Sequence, residues 1–353
     1  MIIVSERKII GEVLVFPIAI LNVLRPIWSN RWVHLLVGAL ISISLGYLAA
    51  DAIRWEDFIG AFANLPIHML VLSIVPLVVA MFCRAVRWRV LLEHRAMSLW
   101  QVFLTQNTGI GMNNMLPIRM ISEPVQLVLA TKRYKVPFPV ALTTLVGGNV
   151  LDIFATALIL MFGLVLVPEL REARVTIQFF GAFVMFVVSL LVFLVIARGI
   201  DSIPVARRLG FFHRLASAVS ALKGQPLGLM ASFIATLAHW IFMGFAAWVL
   251  ANSFGIQIQP LVMITIVVAA TFFTSAVPSL PGGAGTFHFA IVTMLTSLGA
   301  AHASALSLAL VLHILIVLPT IAIAVAMISR VGFSFLLRRE ASTSTANRAV
   351  DIT

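Results

Sequence analysis

The feature that most limits how this chain can fold is a pair of breaks inside apolar segments. The sequence NNMLPIR at 113–119 interrupts one of them, and SLPGGAG at 279–285 interrupts another at a corresponding place in the second half of the chain. Lipid offers no hydrogen bond to a bare backbone, so irregular chain at membrane depth is tolerated only where protein buries it or where it lines a cavity. Paired breaks are typical of transporters built from two repeats.

Composition places the chain in a membrane. Hydrophobic residues make up 61% of its 353 residues and charged residues only 10%, as in polytopic membrane proteins. The net charge of +11 does not indicate nucleic acid, because Lys and Arg cluster between apolar spans, as in cytoplasmic loops. The single cysteine, Cys83, excludes an intramolecular disulfide.

Six apolar segments are long enough to cross a bilayer as helices. They are residues 33–50, 65–83, 139–167, 177–197, 226–252 and 303–329. Two further regions, 100–131 and 260–298, contain the breaks near their middle. Each of these two regions is either a pair of short crossings or a re-entrant hairpin.

Loop charges favour the hairpins. We read residues 84–95 as a loop, and its four Arg against one Glu predict a cytoplasmic position. Three cations at 132–135 follow the region 100–131, so both of its ends are predicted to lie inside. The charges of the later loops are satisfied if 260–298 enters from the outside and returns there.

The predicted fold class is an all-α polytopic membrane protein with six full spans plus two re-entrant helical hairpins in an inverted-topology repeat. Its halves cover about 33–167 and 177–329 within a transmembrane domain at 33–335. The alternative is that Pro and Gly only kink ordinary helices. Residues 1–32 are predicted to form a cytoplasmic or interfacial segment, and 336–353 a disordered cytoplasmic tail.

Ionisable groups at membrane depth are costly and are usually kept for function. Arg119 and Glu123 follow the first break one helical turn apart, so they are expected to share a face. They are either a structural pair that neutralises itself or a site in which Arg119 meets an anionic headgroup and Glu123 orients it. Asp152 and His239 fall near the centres of the third and fifth spans.

Polar groups at the two breaks complete the candidate binding residues. Asn113 and Asn114 precede the first Pro. His288 and His313 are both placed to approach the second break, but no HExxH-like pairing predicts a metal. Close backbone approach is expected at the glycines of the second break, where N–H groups would cradle a phosphate. These are Gly282, Gly283 and Gly285.

Together these motifs resemble the lysylphosphatidylglycerol synthase transmembrane-region family of flippase-like membrane proteins. The resemblance rests on RAVRW at 84–88, on NNMLPIR followed by Glu123, on Asp152 and on PGGAG at 281–285. It covers roughly residues 33–335.

The chain departs from the family pattern at three places. Ser122 replaces a common Gly, Gly148-Asn149 replaces a common Glu-Arg pair, and His288 replaces a common acidic residue. These changes would suit a neutral or differently charged headgroup.

The resemblance implies a transporter, not an enzyme, that moves a lipid or lipid-linked headgroup between leaflets of the bacterial inner membrane. Both termini are expected in the cytoplasm, no cofactor is expected, and the basic cytoplasmic loops are expected to contact anionic lipid. A lipid-synthesis enzyme or a second copy of the chain are possible partners. Two alternatives stay open: a membrane scaffold that partners a lipid-modifying enzyme, and a membrane-embedded lipid transferase.

Overall fold

The computed structural model describes residues 31–51, 55–63, 65–92, 97–116, 121–166, 226–277 and 279–350. Every regular element in these ranges is a helix. In chain order they are α1 (Arg31–Ala50), α2 (Trp55–Ala63), α3 (Ile67–Leu91), α4 (Leu99–Met115), α5 (Ser122–Val128) with a π-helical continuation (Leu129–Arg133), α6 (Phe138–Leu166), α7 (Pro226–Ser253), α8 (Pro260–Ala276), a 3-10 turn (Pro281–Gly283), α9 (Thr286–Ser297) and α10 (His302–Val350).

Four of these helices are long and apolar enough to cross a membrane: α3, α6, α7 and the part of α10 at His302–Arg330. They correspond to four of the six predicted spans. A shorter apolar helix, Leu36–Ala50, occupies the first, and the predicted span 177–197 lies outside the described residues. Helix α10 continues to Val350, through most of the segment whose composition predicts disorder.

The prediction of a loop at 84–95 is wrong, because α3 continues to Leu91. Arg84, Arg87 and Arg89 therefore lie on a helix, and Arg87 is only 6% exposed. A hydropathy profile penalises every Arg and so ends the span too early. The two cations at 84 and 87 face protein, where they have partners that the profile does not see.

Exposed apolar side chains mark the surface that faces lipid. Leu40, Val71 and Leu318 are each more than half exposed, on α1, α3 and α10. Buried apolar side chains of α7, α8, α9 and α10 form the main core. A largely apolar exterior around a helical core is the arrangement that a bilayer requires.

The two breaks divide their regions in the same proportions. In the first half, the 17-residue α4 precedes the break and a seven-residue α-helix with a five-residue π continuation follows it. In the second half, the 17-residue α8 precedes the break and the 12-residue α9 follows it. At about 1.5 Å per residue, the later arms are too short to cross a bilayer core of about 30 Å.

Helix contacts repeat with the same pattern. The two arms that precede the breaks each cross the last long helix of the other half, because α4 packs on α10 and α8 packs on α6. Glycine allows both crossings to be close: a Cβ at Gly111 would meet the carbonyl of Thr320, and a Cβ at Gly163 would meet the side chain of Thr265. Helices α3 and α7 pack on each other between the halves.

Candidate functional site

A cavity of about 160 Å³ lies between α3, α4, α5 and α6, and most of its lining is polar. Its lining residues are Arg84, Arg87, Trp88, Gln106, Ile110, Ser122, Glu123, Gln126, Thr144, Leu145, Gly148, Asn149 and Asp152. Glu123 and Asn149 are exposed, which places the mouth of the cavity beside them. A polar cavity inside an apolar bundle points to a ligand, since polar groups at this depth are costly unless they are used.

Helix geometry explains why these residues share one cavity. Arg84, Arg87 and Trp88 stand at i, i+3 and i+4 on α3, which is one helical face. Gly148 and Asp152 are likewise one turn apart on α6. A Cβ at Gly148 would lie 3.8 Å from Nε of Arg87, so the glycine leaves room beside that guanidinium.

Asp152 is fully engaged. Its Oδ2 lies 3.1 Å from Nη1 of Arg87, and its Oδ1 accepts a hydrogen bond from Nε1 of Trp240 at 2.9 Å. Arg87 is further held by its backbone carbonyl, which accepts from the Ser232 hydroxyl at 3.2 Å. Because both carboxylate oxygens have partners, this pair is a fixed part of the wall.

Neither cation is fully hydrogen-bonded. Nη2 of Arg84 reaches Oδ1 of Asn107 at 3.5 Å, the outer limit of a hydrogen bond, and its buried Nε has no partner within the described residues. Nε and Nη1 of Arg87 likewise make no hydrogen bond there, so the contact of Nη1 with Asp152 is an ion pair rather than a well-aligned hydrogen bond. Buried N–H groups without a partner cost about 1–3 kcal/mol, and more when charged. The cavity therefore presents cationic donors that an anion would satisfy.

The opposite wall is neutral at Gln106 and acidic at Glu123. Gln106 is 4% exposed, and its buried Oε1 has no partner among the described residues. Ser122 is held by Gln126, whose Nε2 donates to its hydroxyl at 2.8 Å. Glu123 lies in the first turn of α5, beside the cavity mouth. Arg119 lies outside the described residues, so its proposed pairing with Glu123 stays a prediction.

The second break is closed by hydrogen bonds. Nδ1 of His313 lies 3.0 Å from Nε2 of His288, and Nε2 of His313 lies 2.9 Å from the carbonyl oxygen of Gly282. The amide of Gly285 lies 3.3 Å from Nδ1 of His288. Gly283 accepts from the Thr286 hydroxyl at 2.9 Å.

Three glycines of this break have positive φ: 69° at Gly282, 77° at Gly283 and 82° at Gly285. A side chain would strain each of them. Helix α1 packs directly against the break, since a Cβ at Gly285 would meet the Ser42 carbonyl and the Ser42 hydroxyl accepts from the amide of Leu280 at 2.7 Å.

The two breaks meet on α10. Nδ2 of Asn114 donates to the Thr320 hydroxyl at 3.1 Å. A Cβ at Gly282 would lie 3.8 Å from the Asn114 carbonyl oxygen, 3.8 Å from Nε2 of His313 and 3.9 Å from Val317. His313, Val317 and Thr320 share one face of α10 near the middle of its membrane-crossing part. Both breaks therefore lie near the middle of the bundle.

The structure thus sorts the candidate residues into two groups and leaves two apart. Glu123 and Asp152 line the cavity. The second group surrounds the meeting point of the breaks: Asn114, Gly282, Gly283, Gly285, His288 and His313. Asn113 lies next to Asn114 at the end of α4, and its buried Oδ1 has no partner among the described residues. His239 is buried and lies outside the cavity, where its Nδ1 is 2.8 Å from the Ala80 carbonyl and joins α7 to α3.

Sequence reasoning missed the cationic side of the cavity. Arg84, Arg87, Gln106 and Trp240 were not among the predicted site residues, although RAVRW was noted as a motif. The available signal was the i, i+3 spacing of two Arg directly after an apolar run, which places both on one helical face.

Comparison with known proteins identifies a family of membrane proteins. The family model described as "Lysylphosphatidylglycerol synthase TM region" matches residues 35–324, most of the chain. A search of curated proteins gave no match.

Proposed function

We propose that this chain, which belongs to the lysylphosphatidylglycerol synthase TM region family, moves a membrane lipid or a lipid-linked headgroup between the two leaflets. The family and the apolar helices make it a multi-pass membrane protein. Lipid transport goes beyond this membrane assignment and is our proposal.

The observation that carries this proposal is the polar cavity with under-satisfied cations. Arg84 and Arg87 direct buried N–H groups without described partners toward a space of about 160 Å³. Charge-assisted hydrogen bonds to phosphate are stronger than those to neutral acceptors, so an anionic headgroup would satisfy these groups well. Asp152 neutralises Arg87, which leaves Arg84 as the main seat for an anionic headgroup.

The breaks support a path beyond the cavity. We propose that they form re-entrant hairpins in an inverted repeat, because their arms match in length and their contacts repeat between the halves. The headgroup would pass the meeting point of Asn114 and Gly282 as the two halves rock, while the acyl chains stay in lipid. Arg119 and Glu123 would guide it at the mouth.

We further propose that the protein lies in the bacterial inner membrane with both termini in the cytoplasm, and that it carries out no chemical conversion of its substrate. Anionic lipid is the proposed partner of its basic cytoplasmic loops. A lipid-synthesis enzyme would fit as a partner that supplies or consumes the transported lipid. Homo-oligomerisation is equally compatible with this scheme.

The decisive experiment is leaflet exchange of fluorescent anionic phospholipid in vesicles that contain the purified protein. We expect Arg84→Gln to slow the exchange at least about tenfold, since a hydrogen bond to a charged group contributes about 1.5–3 kcal/mol. Arg89→Gln is the matched control, because Arg89 is on the same helix but donates to the Met97 carbonyl outside the cavity. It should exchange lipid at the wild-type rate.

The other outcomes separate the alternatives. Absence of exchange by the wild type would contradict transport and favour the scaffold. A mass change in the lipid after incubation would identify a transferase. Equal rates of lipid exchange by Arg84→Gln and Arg89→Gln would support transport but would show that the lipid headgroup does not pass through the cavity.

Topology is tested separately in cells. We expect Lys132→Cys, after the first hairpin, to be protected from an impermeant thiol reagent and Gln257→Cys to be labelled, both in a Cys83→Ala background. Labelling of position 132 from outside would make 100–131 a net crossing and end the double-hairpin proposal.

A further inference from the structure

Two histidines close the second break through a continuous chain of hydrogen bonds. His288 comes from the first turn of α9 and His313 from the membrane-crossing part of α10, and their facing nitrogens are 3.0 Å apart. On the far side of each ring lies the backbone of the break, at the amide of Gly285 and the carbonyl of Gly282. The series of hydrogen bonds thus starts and ends on the same break at 279–285.

The backbone ends determine where the protons lie. The Gly285 amide is a donor only, so Nδ1 of His288 must accept and its hydrogen must be on Nε2. That hydrogen is donated to Nδ1 of His313, whose own hydrogen on Nε2 is donated to the Gly282 carbonyl. Both rings are therefore neutral, and every ring nitrogen is used.

One additional proton breaks this chain at a defined place. If it enters on Nδ1 of His288, that nitrogen becomes a donor that faces the Gly285 amide, which is also a donor. If it enters on Nδ1 of His313, His288 must accept at Nε2 and carry its hydrogen on Nδ1, with the same conflict. Either way the contact between Gly285 and His288 is lost, while the contact to Gly282 survives.

The elements that lie directly against the pair carry no other ionisable group. Helices α4 and α8 contain no Asp, Glu, Lys, Arg or His. The break at 279–285 contains none either, and α1 faces it with Gly38, Ser42 and Gly46. Helix α2, which packs on α10, carries the carboxylates Glu56 and Asp57.

On α10, the other ionisable residues of the crossing part lie elsewhere. His302 is bonded to the Ala49 carbonyl at 2.7 Å and Arg330 is at the far end. A positive charge on His288 would also face the N-terminus of α9, where the helix dipole disfavours cations.

From these contacts we propose that the pair His288–His313 is a proton-binding site, and that binding of one proton breaks the side-chain cap of His288 on the Gly285 amide and loosens the second break. The ligand is a proton, and both rings are partly exposed in the structure. This proposal rests on the contacts of the break and not on lipid transport, so the two can fail independently.

The test is the accessibility of a thiol in the break. In a Cys83→Ala background, Ala284→Cys is placed between the two glycines that the pair holds, and its labelling by a small thiosulfonate is measured in detergent between about pH 4 and about pH 8, because desolvated imidazoles take up a proton only at low pH. Thiol reactivity itself depends on pH. Each rate is therefore divided by that of Ser297→Cys, an exposed position at the end of α9.

We expect the normalised rate of Ala284→Cys to rise several-fold on acidification. The double substitution His288→Gln with His313→Gln should abolish the rise, because each amide can accept and donate in the same order as a neutral imidazole without taking up a proton. His302→Gln is the matched control, since it removes the other histidine of α10, which lies outside the pair, and it should keep the full rise.

A normalised rate that does not change with pH when both histidines are present would overturn the proposal. So would a rise that persists in the double glutamine variant, or one that disappears in His302→Gln. Thermal unfolding of each variant in detergent identifies any that is misfolded, and the single substitutions His288→Gln and His313→Gln then replace a double variant that fails to fold.

Discussion

The cavity and the second break are both polar and both buried, yet they differ in how their groups are satisfied. In the cavity, two guanidinium groups face one carboxylate that is already fully engaged, and N–H donors are left over. At the second break, rings and backbone satisfy one another without any full charge. Unsatisfied donors suit a region that receives a ligand, and a saturated network suits a region that closes.

The largest expected effect concerns the charged wall of the cavity. Asp152→Asn keeps an acceptor for Trp240 but removes the counter-charge of the buried Arg87. Breaking such a pair costs about 3–5 kcal/mol when both groups are buried, and we expect the lower end because Asp152 is 30% exposed. Thermal unfolding in detergent measures the loss.

Restoring neutrality provides the control for this prediction. The double substitution Arg87→Gln with Asp152→Asn should recover part of the lost stability, because no unpaired charge remains. Strictly additive losses would show that the two side chains are not coupled.

The second prediction tests whether the break is held by close packing. Gly285→Ala would place a methyl group against the Ser42 carbonyl, whereas Gly299→Ala would meet nothing within 4 Å. Both glycines have positive φ, 82° and 88°, so backbone strain is common to the two variants. We expect Gly285→Ala to lose about 1–3 kcal/mol more in the free energy of unfolding.

Equal melting temperatures for these two alanine variants would mean that α1 does not press on the break. The difference in unfolding free energy between the two variants therefore measures the contact between α1 and the break, because the backbone strain is common to both.

The third prediction sharpens the contrast between ligand site and closure. Arg84→Met should raise the free energy of unfolding by about 1 kcal/mol, because it removes a buried cation whose hydrogen bonds are incomplete. The same substitution should abolish lipid exchange. A loss of stability would instead show that Arg84 is a structural cation and that the cavity has another purpose.

The smallest effect is expected where the cavity wall is neutral. Trp88→Phe removes the hydrogen bond from Nε1 to the Thr144 hydroxyl, which is 3.1 Å long and buried. We expect a loss of about 0.5–1.5 kcal/mol. Trp100→Phe, at a ring that is 57% exposed, is the control and should change the melting temperature less.

Hydropathy and turn chemistry carried the sequence prediction of the helices. The third and fifth spans begin and end within one residue of α6 and α7, because apolar runs bounded by Pro or Gly are unambiguous. The breaks were predicted from Pro and Gly alone, and the glycines of the second do have positive φ.

The cationic side of the cavity was not predictable in the same way. Hydropathy alone ends a span before Arg84 and Arg87, and the carboxylate that pairs with Arg87 is 65 positions further along the chain. Likewise, the sequence places His288 and His313 near the second break, but the order of their hydrogen bonds depends on which backbone groups face them. In both cases the role of the side chain depends on partners that are distant in the sequence, and a local sequence pattern does not reveal those partners.

Helix α10 has a mechanical consequence for the whole molecule. His313 supports the second break and Thr320 the first, from a single face of one helix. A helix advances about 100° per residue, so a rigid rotation or register shift of α10 that breaks one of these contacts displaces the other as well. Pro319 lies between His313 and Thr320, and a kink there would separate the two contacts. Motion of α10 as a single rigid helix is therefore transmitted to both interruptions.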